Sequence, residues 1–332
     1  MQQLEKKTTA FLRRFITLLS LVNALLILPA CKKQINQEDY PFSGQASIAT
    51  RWADMTLTTI KKSYYNTPTY SSRSLACMGL CLYESVVNAD PTFQSLNKQL
   101  NGLNTLPSIS SSNEYSWPIV LNEGQKTLLK LLYPLNENIS QEYFMKIDEL
   151  AEDINKKEEE KWAQATIERS SDLGRQIALA IFNWSKNDGG FEGFKRNFDP
   201  LFSLPTGLSY WVPPTKGQSP SKIPLHPLWG NNRTFVASNS LLPVPVIEKY
   251  STVTSSNYYK LFSEVFIKGL TLNQNEKEIA AWWGDDPSQT FSPPGHSYNL
   301  VTIAIEQSNA TLIKAAEAYA KVGLAVGDAF IH

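Results

Sequence analysis

The most informative segment of the chain for its fold is Ser74-Leu75-Ala76-Cys77-Met78-Gly79-Leu80-Cys81-Leu82-Tyr83-Glu84-Ser85-Val86-Val87. It holds a single charged residue and is otherwise apolar or small, which predicts a buried helix. Cys77 and Cys81 lie one helical turn apart, so a disulfide between them would join nothing distant. Their spacing is also not that of a zinc site. We therefore expect two buried free thiols.

Helices are predicted on both sides of this stretch, because apolar residues recur at helical spacing through most of the chain. Asn273, with Glu276 three residues later, is the signature of a helix N-terminus, and Asn309 is the predicted cap of the last helix. No strand alternation is sustained, so the sequence predicts an all-α protein. The other helices are expected over residues 46–65, 119–133, 141–184 (as two helices), 257–268, 274–283, 295–307 and 310–331.

Residues 200–245 differ from the rest, because they hold nine of the 19 prolines. Proline has no backbone donor and is excluded from helix interiors, so extended chain and turns are predicted here. A loop this long is usually functional or ordered by contacts. Its aromatic residues favour packing against the helices. We expect Trp211 and Trp229 in this segment, and Trp282 and Trp283 further along the chain, to be core residues. The prediction is a helical bundle with a long proline-rich loop wrapped on it.

Composition narrows the class of protein. Of 332 residues, 42% are apolar and 19% are charged, and 31 basic residues are balanced by 31 acidic ones. Such a chain can bury a core, which excludes a disordered, collagen-like or disulfide-framework protein. Because no long basic block is present, no nucleic-acid partner is expected.

The first 30 residues have the pattern of an export signal. Four basic residues precede an uncharged apolar run over 15–28 that is too short to span a membrane, and Ala30 stands directly before Cys31. This arrangement resembles the bacterial lipoprotein signal, in which the cysteine is lipidated and becomes the mature N-terminus. We therefore expect a signal peptide over 1–30, a tether over 31–45 and a helical domain over 46–332, anchored through Cys31 to a membrane of the bacterial cell envelope.

Chemical motifs are few. Ser292-Pro293-Pro294-Gly295-His296-Ser297 superficially matches an oxyanion-binding element, but such an anion needs several cationic donors and no arginine follows Arg233. The preferred interpretation is a turn that places His296 near a helix N-terminus, where it caps free amides or lines a groove. The pair Asp285-Asp286 could bind a hard cation, although a helix stop is favoured. No catalytic or metal-binding residue is assigned.

Six short stretches carry a family resemblance. They are Arg51-Trp52-Ala53-Asp54, Leu82-Tyr83-Glu84-Ser85-Val86-Val87, Pro227-Leu228-Trp229-Gly230-Asn231-Asn232-Arg233-Thr234-Phe235, Ile279-Ala280-Ala281-Trp282-Trp283, Pro293-Pro294-Gly295-His296 and Gly327-Asp328-Ala329-Phe330-Ile331. In this order they resemble the superfamily of vanadium-dependent haloperoxidases and type 2 phosphatidic acid phosphatases, in its bacterial lipoprotein branch. The resemblance implies a helical bundle that corresponds to the N-terminal part of the haloperoxidase fold.

The resemblance also implies a chemistry, either halide oxidation by peroxide at a bound vanadate or phosphomonoester hydrolysis. In the family, the helix matching residues 327–331 continues into a lysine and an arginine for the oxyanion. A Ser-Gly-His segment, an arginine and a histidine follow. None of those positions exists in this sequence, so the domain is expected to be incomplete at its C-terminus. This chain alone is then expected to hold no vanadate and to be inactive, while haloperoxidase or phosphatase ancestry stays open.

Two alternatives stay open at this point. A helical envelope lipoprotein could bind glycans or another small ligand, with the tryptophans at 211, 229, 282 and 283 as a stacking platform. Alternatively, a missing C-terminal half or another subunit could supply the absent groups, because a bundle cut at residue 331 would expose a large apolar face.

Overall fold

The computed structural model describes residues 45–213, 221–285 and 288–332. Nine α-helices and no β-strand lie within these residues, which confirms the predicted all-α class. None of the helices in this part of the chain is long and apolar enough to cross a membrane. The leader and Cys31 lie outside the described residues. The helices are α1 Ala46–Lys62, α2 Pro68–Val86, α3 Trp117–Leu132, α4 Gln141–Glu159, α5 Gln164–Ser185, α6 Asn257–Leu270, α7 Gln274–Trp282, α8 Ser292–Ser308 and α9 Leu312–Ile331.

Helix α2 is the centre of the bundle. Every residue from Tyr70 to Val86 is buried, and α1, α3, α5, α8 and α9 all pack on this helix. The helix begins at Pro68 and is capped by Thr67, whose Oγ1 accepts the backbone N–H of Tyr70 at 3.2 Å. The predicted buried helix is therefore confirmed, and its cap lies seven residues before the start of the apolar run at position 74.

Glycines allow two pairs of helices to approach closely. Where α2 crosses α9, a Cβ atom on Gly79 would lie 2.5 Å from the backbone oxygen of Tyr319. Where α3 crosses α5, a Cβ atom on Gly174 would lie 2.2 Å from the backbone oxygen of Val120. A carbon atom cannot approach an oxygen so closely, so both crossings depend on the absence of a side chain.

Helix α9 carries the predicted apolar stripe, but its predicted cap is wrong. Asn309 adopts a left-handed conformation, with φ at 49°, and ends α8. Asparagine tolerates this conformation better than most residues, so it suits a helix end. Thr311 caps α9 instead, with its Oγ1 accepting the backbone N–H of Lys314 at 3.4 Å. The buried stripe consists of Leu312, Ala315, Ala316, Tyr319, Ala320 and Gly323.

The proline-rich segment packs on the bundle through its central part. Trp229 and Phe235 are buried in the core. The buried carboxylate of Asp328 in α9 accepts the backbone N–H groups of Phe235, at 2.6 Å, and Val236, at 3.0 Å. On either side, the apolar side chains of 201–212 and 241–247 are largely exposed, Trp211 among them at 49%. One carboxylate thus ties the loop to the last helix.

Helices α6 and α7 bury no residue. The predicted N-terminus of α7 is confirmed as a capping box, in which Asn273 Oδ1 accepts the backbone N–H of Glu276 at 3.0 Å and the Glu276 carboxylate accepts that of Asn273 at 3.0 Å. Trp282 and Trp283 are 76% and 74% exposed. The expectation that Trp211, Trp282 and Trp283 are core residues is therefore wrong, whereas it is right for Trp229.

Candidate functional site

His296 lies in the second turn of α8, half exposed, and binds an acidic partner. Its Nε2 lies 2.8 Å from Oδ1 of Asp285, and its ring centroid lies 4.8 Å from that of Phe291. The hydroxyl of Thr290 donates to the same oxygen of Asp285. Asp285 therefore ties the segment before α8 to the helix itself. Residues 286 and 287 lie outside the described residues, so the predicted helix stop over this segment stays a prediction.

Asp285 also lines a small polar pocket of about 170 Å³ between the α1–α2 turn and the segment before α8. Ser292 and Thr290 share its wall, and Asn66 faces them from the turn. The Oγ atom of Ser292 is buried without a hydrogen-bond partner. His296 is not among the residues that line this pocket, so its predicted groove-lining role stays a prediction.

A larger pocket, of about 400 Å³, lies against the same α1–α2 turn. Its apolar wall includes Phe198 and Trp211, and its polar wall includes Asn66 and Asn197. The amide of Asn197 donates to the backbone oxygen of Tyr65 at 2.7 Å, which fixes the side chain at the edge of the pocket. Such a lining suits a small ligand with an apolar face and hydroxyl groups.

The four tryptophans considered as a stacking platform have different surroundings. Trp211 lines the larger pocket. Trp229 is buried and stacks on His226 with 4.8 Å between ring centroids. Trp282 and Trp283 contact each other edge to face at the end of α7. Of the four, Trp211 thus lies at a pocket, whereas Trp229 packs in the core.

The arginines nearest the core are bound to other groups. Arg73 is almost fully buried, with its Nε 2.7 Å from the Asp188 carboxylate. Arg233 lies over the ring of Trp184, with its guanidinium carbon 4.5 Å from the ring centroid, and donates to the backbone oxygen of that residue at 3.1 Å. Neither guanidinium can turn toward a new ligand without losing these contacts.

The two lysines that follow His296 in the chain share one partner. Lys314 and Lys321 lie 3.4 Å and 2.8 Å from the Glu317 carboxylate. Vanadate or phosphate beside His296 would meet the carboxylate of Asp285 where a cationic donor is needed. The described residues around His296 therefore do not fit the oxyanion of the haloperoxidase family. Within the described ranges, no group of three or more His, Cys, Asp or Glu side chains is placed to hold a metal ion.

The arrangement of helices is that of the haloperoxidase class of fold. One solved structure that shows this is the first bacterial vanadium-dependent iodoperoxidase, to which this chain is 24% identical with a TM-score of 0.64. The match covers 86% of this chain and 66% of that chain, so this chain spans just under two thirds of that enzyme's length. The predicted haloperoxidase-like fold is confirmed. No protein-family model and no curated protein matches the chain.

Proposed function

We propose that this chain is a lipid-anchored envelope protein related to the haloperoxidases and acid phosphatases, and that it has neither activity by itself. The observation that carries the proposal is that the buried Arg73 and the late Lys321 already have acidic partners, at 2.7 Å from Asp188 and 2.8 Å from Glu317. Both chemistries of the family need an oxyanion surrounded by positive charge. At His296 the closest charged side chain described is negative, which favours a scaffold over a catalyst.

The described cations near the core and after His296 already have partners. Arg73 and Arg233 are held by Asp188 and Trp184, and both lysines after His296 are held by Glu317. We therefore propose that activity of the family type requires a further polypeptide, either a C-terminal half or another subunit, that brings the cationic groups and a second histidine. With such a partner, either halide oxidation at a bound vanadate or hydrolysis of a phosphate ester would be possible.

The test is an assay of the purified mature form, residues 31–332. Peroxide-dependent oxidation of iodide and bromide, with and without vanadate, and hydrolysis of p-nitrophenyl phosphate are each expected to equal the rate in buffer. An active vanadium iodoperoxidase, assayed in parallel, shows that the conditions support turnover. Vanadate-dependent halide oxidation or phosphate hydrolysis above the rate in buffer would contradict the proposal.

The lipid anchor is tested separately. Cys31 follows a basic region, an apolar run and a small residue, which is the pattern of a processed leader. After expression in a bacterial host, mass spectrometry is expected to show a mature N-terminus at Cys31 that carries acyl groups. In Cys31→Ser the acyl mass is expected to be absent. An unmodified Cys31 with the leader still attached would rule out the anchor.

Capture of a glycan or another small ligand is a second candidate function, and one observation favours it. Trp211 is half exposed at the edge of the pocket of about 400 Å³ that Asn66 and Asn197 also line. A tryptophan face beside amide groups suits a pyranose ring. A fluorescence titration against a glycan panel is expected to show a shift that Trp211→Phe abolishes and Trp282→Phe preserves. If no sugar shifts the fluorescence, the hypothesis of glycan binding is ruled out.

A further inference from the structure

Two pockets meet at the turn between α1 and α2. Asn66, Thr67 and Pro68 line both the pocket of about 400 Å³ that holds Trp211 and the polar pocket of about 170 Å³ that holds Asp285. Because consecutive Cα atoms are about 3.8 Å apart, these three residues extend over at most about 8 Å. The two pockets are therefore close enough for one short ligand to reach both.

Buried oxygen atoms without a hydrogen-bond partner lie around this turn. They are Oδ1 of Asn66, Oδ1 of Asn197 at the larger pocket and Oγ of Ser292 at the smaller one. A buried polar atom without a hydrogen bond lowers stability, so such atoms are rare unless water or a ligand satisfies them. Three of them at two adjoining pockets indicate a ligand with several hydroxyl groups.

The protein itself fixes which atoms of the two amides a ligand can use. Nδ2 of Asn66 donates to the hydroxyl of Ser71 at 2.8 Å and to the backbone oxygen of Ile60 at 3.2 Å. Nδ2 of Asn197 donates to the backbone oxygen of Tyr65 at 2.7 Å. Turning either amide over would place its oxygen against a backbone oxygen. Both amides therefore offer the ligand an acceptor, and the ligand must donate.

The charge of the two pockets disfavours an acidic ligand. Among the described residues that line them, Asp285 is charged, and no lysine, arginine or histidine is present. Both hydrogen bonds described for the Asp285 carboxylate, from Thr290 and His296, use Oδ1. The second oxygen can therefore accept from a ligand hydroxyl, whereas a carboxylate or phosphate on the ligand would be repelled.

The backbone around the smaller pocket adopts a conformation that residues other than glycine rarely take. Tyr65, Ser288 and Ser292 all line this pocket and have φ angles of 58°, 66° and 71°. Such left-handed residues cluster at ligand sites, where the surrounding structure holds them in place. The smaller pocket thus has the backbone of a ligand site as well as its polar lining.

We propose that the two pockets are adjoining subsites for a neutral saccharide of at least two rings. One ring stacks on Trp211 and donates hydroxyl groups to Asn66 and Asn197, and the next ring donates to Asp285 and Ser292. The proposal rests on the second candidate function, the capture of a glycan, and adds to it the length and the charge of that glycan.

The first test compares ligands by calorimetry on the mature form, residues 31–332, with Cys31→Ser to remove the lipid. The probes are cellobiose, maltose and lactose, their component monosaccharides, and the uronic acid form of each disaccharide. At least one neutral disaccharide is expected to bind about 10-fold more tightly than its monosaccharides, because the second ring adds hydrogen bonds. Its uronic acid form is expected to bind at least about 10-fold more weakly than the neutral disaccharide.

Ser292→Ala separates a ligand contact from a structural role. Because Oγ of Ser292 has no partner in the free chain, the variant is expected to unfold at the same urea concentration as the wild-type chain or at a higher one. Disaccharide binding is expected to weaken by about 3- to 10-fold, the effect of one lost hydrogen bond, whereas monosaccharide binding stays within about twofold. Ser297→Ala, in the same helix but at neither pocket, is the matched control and should change neither.

Asp285→Asn keeps an acceptor at the smaller pocket but removes its charge. In this variant the uronic acid form is expected to bind within about threefold of the neutral disaccharide. The inference is overturned if disaccharides bind no more tightly than monosaccharides, if Ser292→Ala leaves disaccharide binding unchanged, or if the wild-type chain prefers the uronic acid forms. In these three cases the glycan function itself stands, provided that Trp211→Phe weakens the binding. If no sugar binds, the glycan function and the inference both fail.

Discussion

His226 lies in the proline-rich segment with both ring nitrogens hydrogen-bonded. Its Nε2–H donates to the backbone oxygen of Gly193 at 2.9 Å, and its Nδ1 accepts the hydroxyl of Thr69. The ring stacks on Trp229. Burial lowers the pKa of His226 below its ordinary value, and this outweighs the hydrogen bond to Gly193. The folded chain therefore holds His226 as a neutral imidazole at neutral pH.

A pH dependence of stability follows from this residue. Because the unfolded chain binds a proton at His226 at a higher pH than the folded chain does, the free energy of unfolding falls as pH drops below about 6.5 toward the folded pKa. In His226→Gln this contribution is absent, so its unfolding free energy is expected to change less between about pH 7 and pH 5. Urea denaturation at a series of pH values measures it.

His332→Gln, on the exposed last residue, is the control for the loss of a histidine as such. Equal pH slopes in the wild-type chain and in His226→Gln would contradict the assigned role. The His226→Gln variant should also lose about 1 kcal/mol at pH 8, because the stacked ring is replaced by a flexible side chain.

At the scale of helices and loops, backbone contacts decide which elements can meet. Gly79 and Gly174 each bring a helix within contact of a backbone oxygen on another helix. Asp328 holds the proline-rich segment to α9 through two backbone N–H groups and the amide of Asn239, at 2.8 Å. The bundle is therefore assembled by a few close contacts as well as by apolar area.

Replacing Gly174 by alanine is expected to destabilise the chain by about 2 kcal/mol or more, because α3 and α5 must move apart to admit a methyl group. Gly269→Ala is the matched control, since nothing lies within 4 Å of a Cβ atom at that position in α6. There the better helix propensity of alanine should leave stability unchanged or raise it by up to about 1 kcal/mol. Urea titrations of both variants test this, and equal losses would contradict the close crossing.

At the scale of the whole molecule, the reactivity of two buried cysteines reports whether the centre of the core is folded. Cys77 and Cys81 are free and buried in α2, which other helices surround. Burial raises the pKa of the Cys77 thiol to about 11 and that of the Cys81 thiol to about 12. The thiolate is the form that reacts with thiol reagents. Both cysteines are therefore unreactive in the folded chain, because reagents cannot reach them and because they stay protonated.

Thiol labelling is therefore expected to report global unfolding. With Cys31→Ser, the reaction of Cys77 and Cys81 with an aromatic disulfide reagent should be slow in buffer. It should accelerate with urea in parallel with the unfolding equilibrium. Labelling at a rate that urea does not change would show that the bundle opens locally around α2, contrary to this expectation.

Local sequence patterns predict the structure correctly where it depends only on residues that are close together in the chain. The apolar run at 74–87 predicts the buried helix, and Asn273 with Glu276 predicts the capping box. The prediction that Asn309 caps α9 is wrong because Asn309 and Thr311 are both good N-cap residues. Which of them caps the helix depends on where α8 ends. Trp282 and Trp283 were misassigned because a tryptophan is normally buried, and composition does not show whether another surface covers it.

The all-α class, the buried core of α2 and the lack of arginine between position 233 and the end of the given sequence can be predicted from the amino-acid sequence alone. Helical periodicity and residue counts contain this information directly. Contacts in the folded chain were needed to establish that His296 binds Asp285, that Trp229 is buried while Trp211 lines a pocket, and that the apolar side chains of α6 and α7 are exposed. Periodicity shows which side of a helix is apolar, whereas the element that covers this side is set by contacts between residues far apart in the chain.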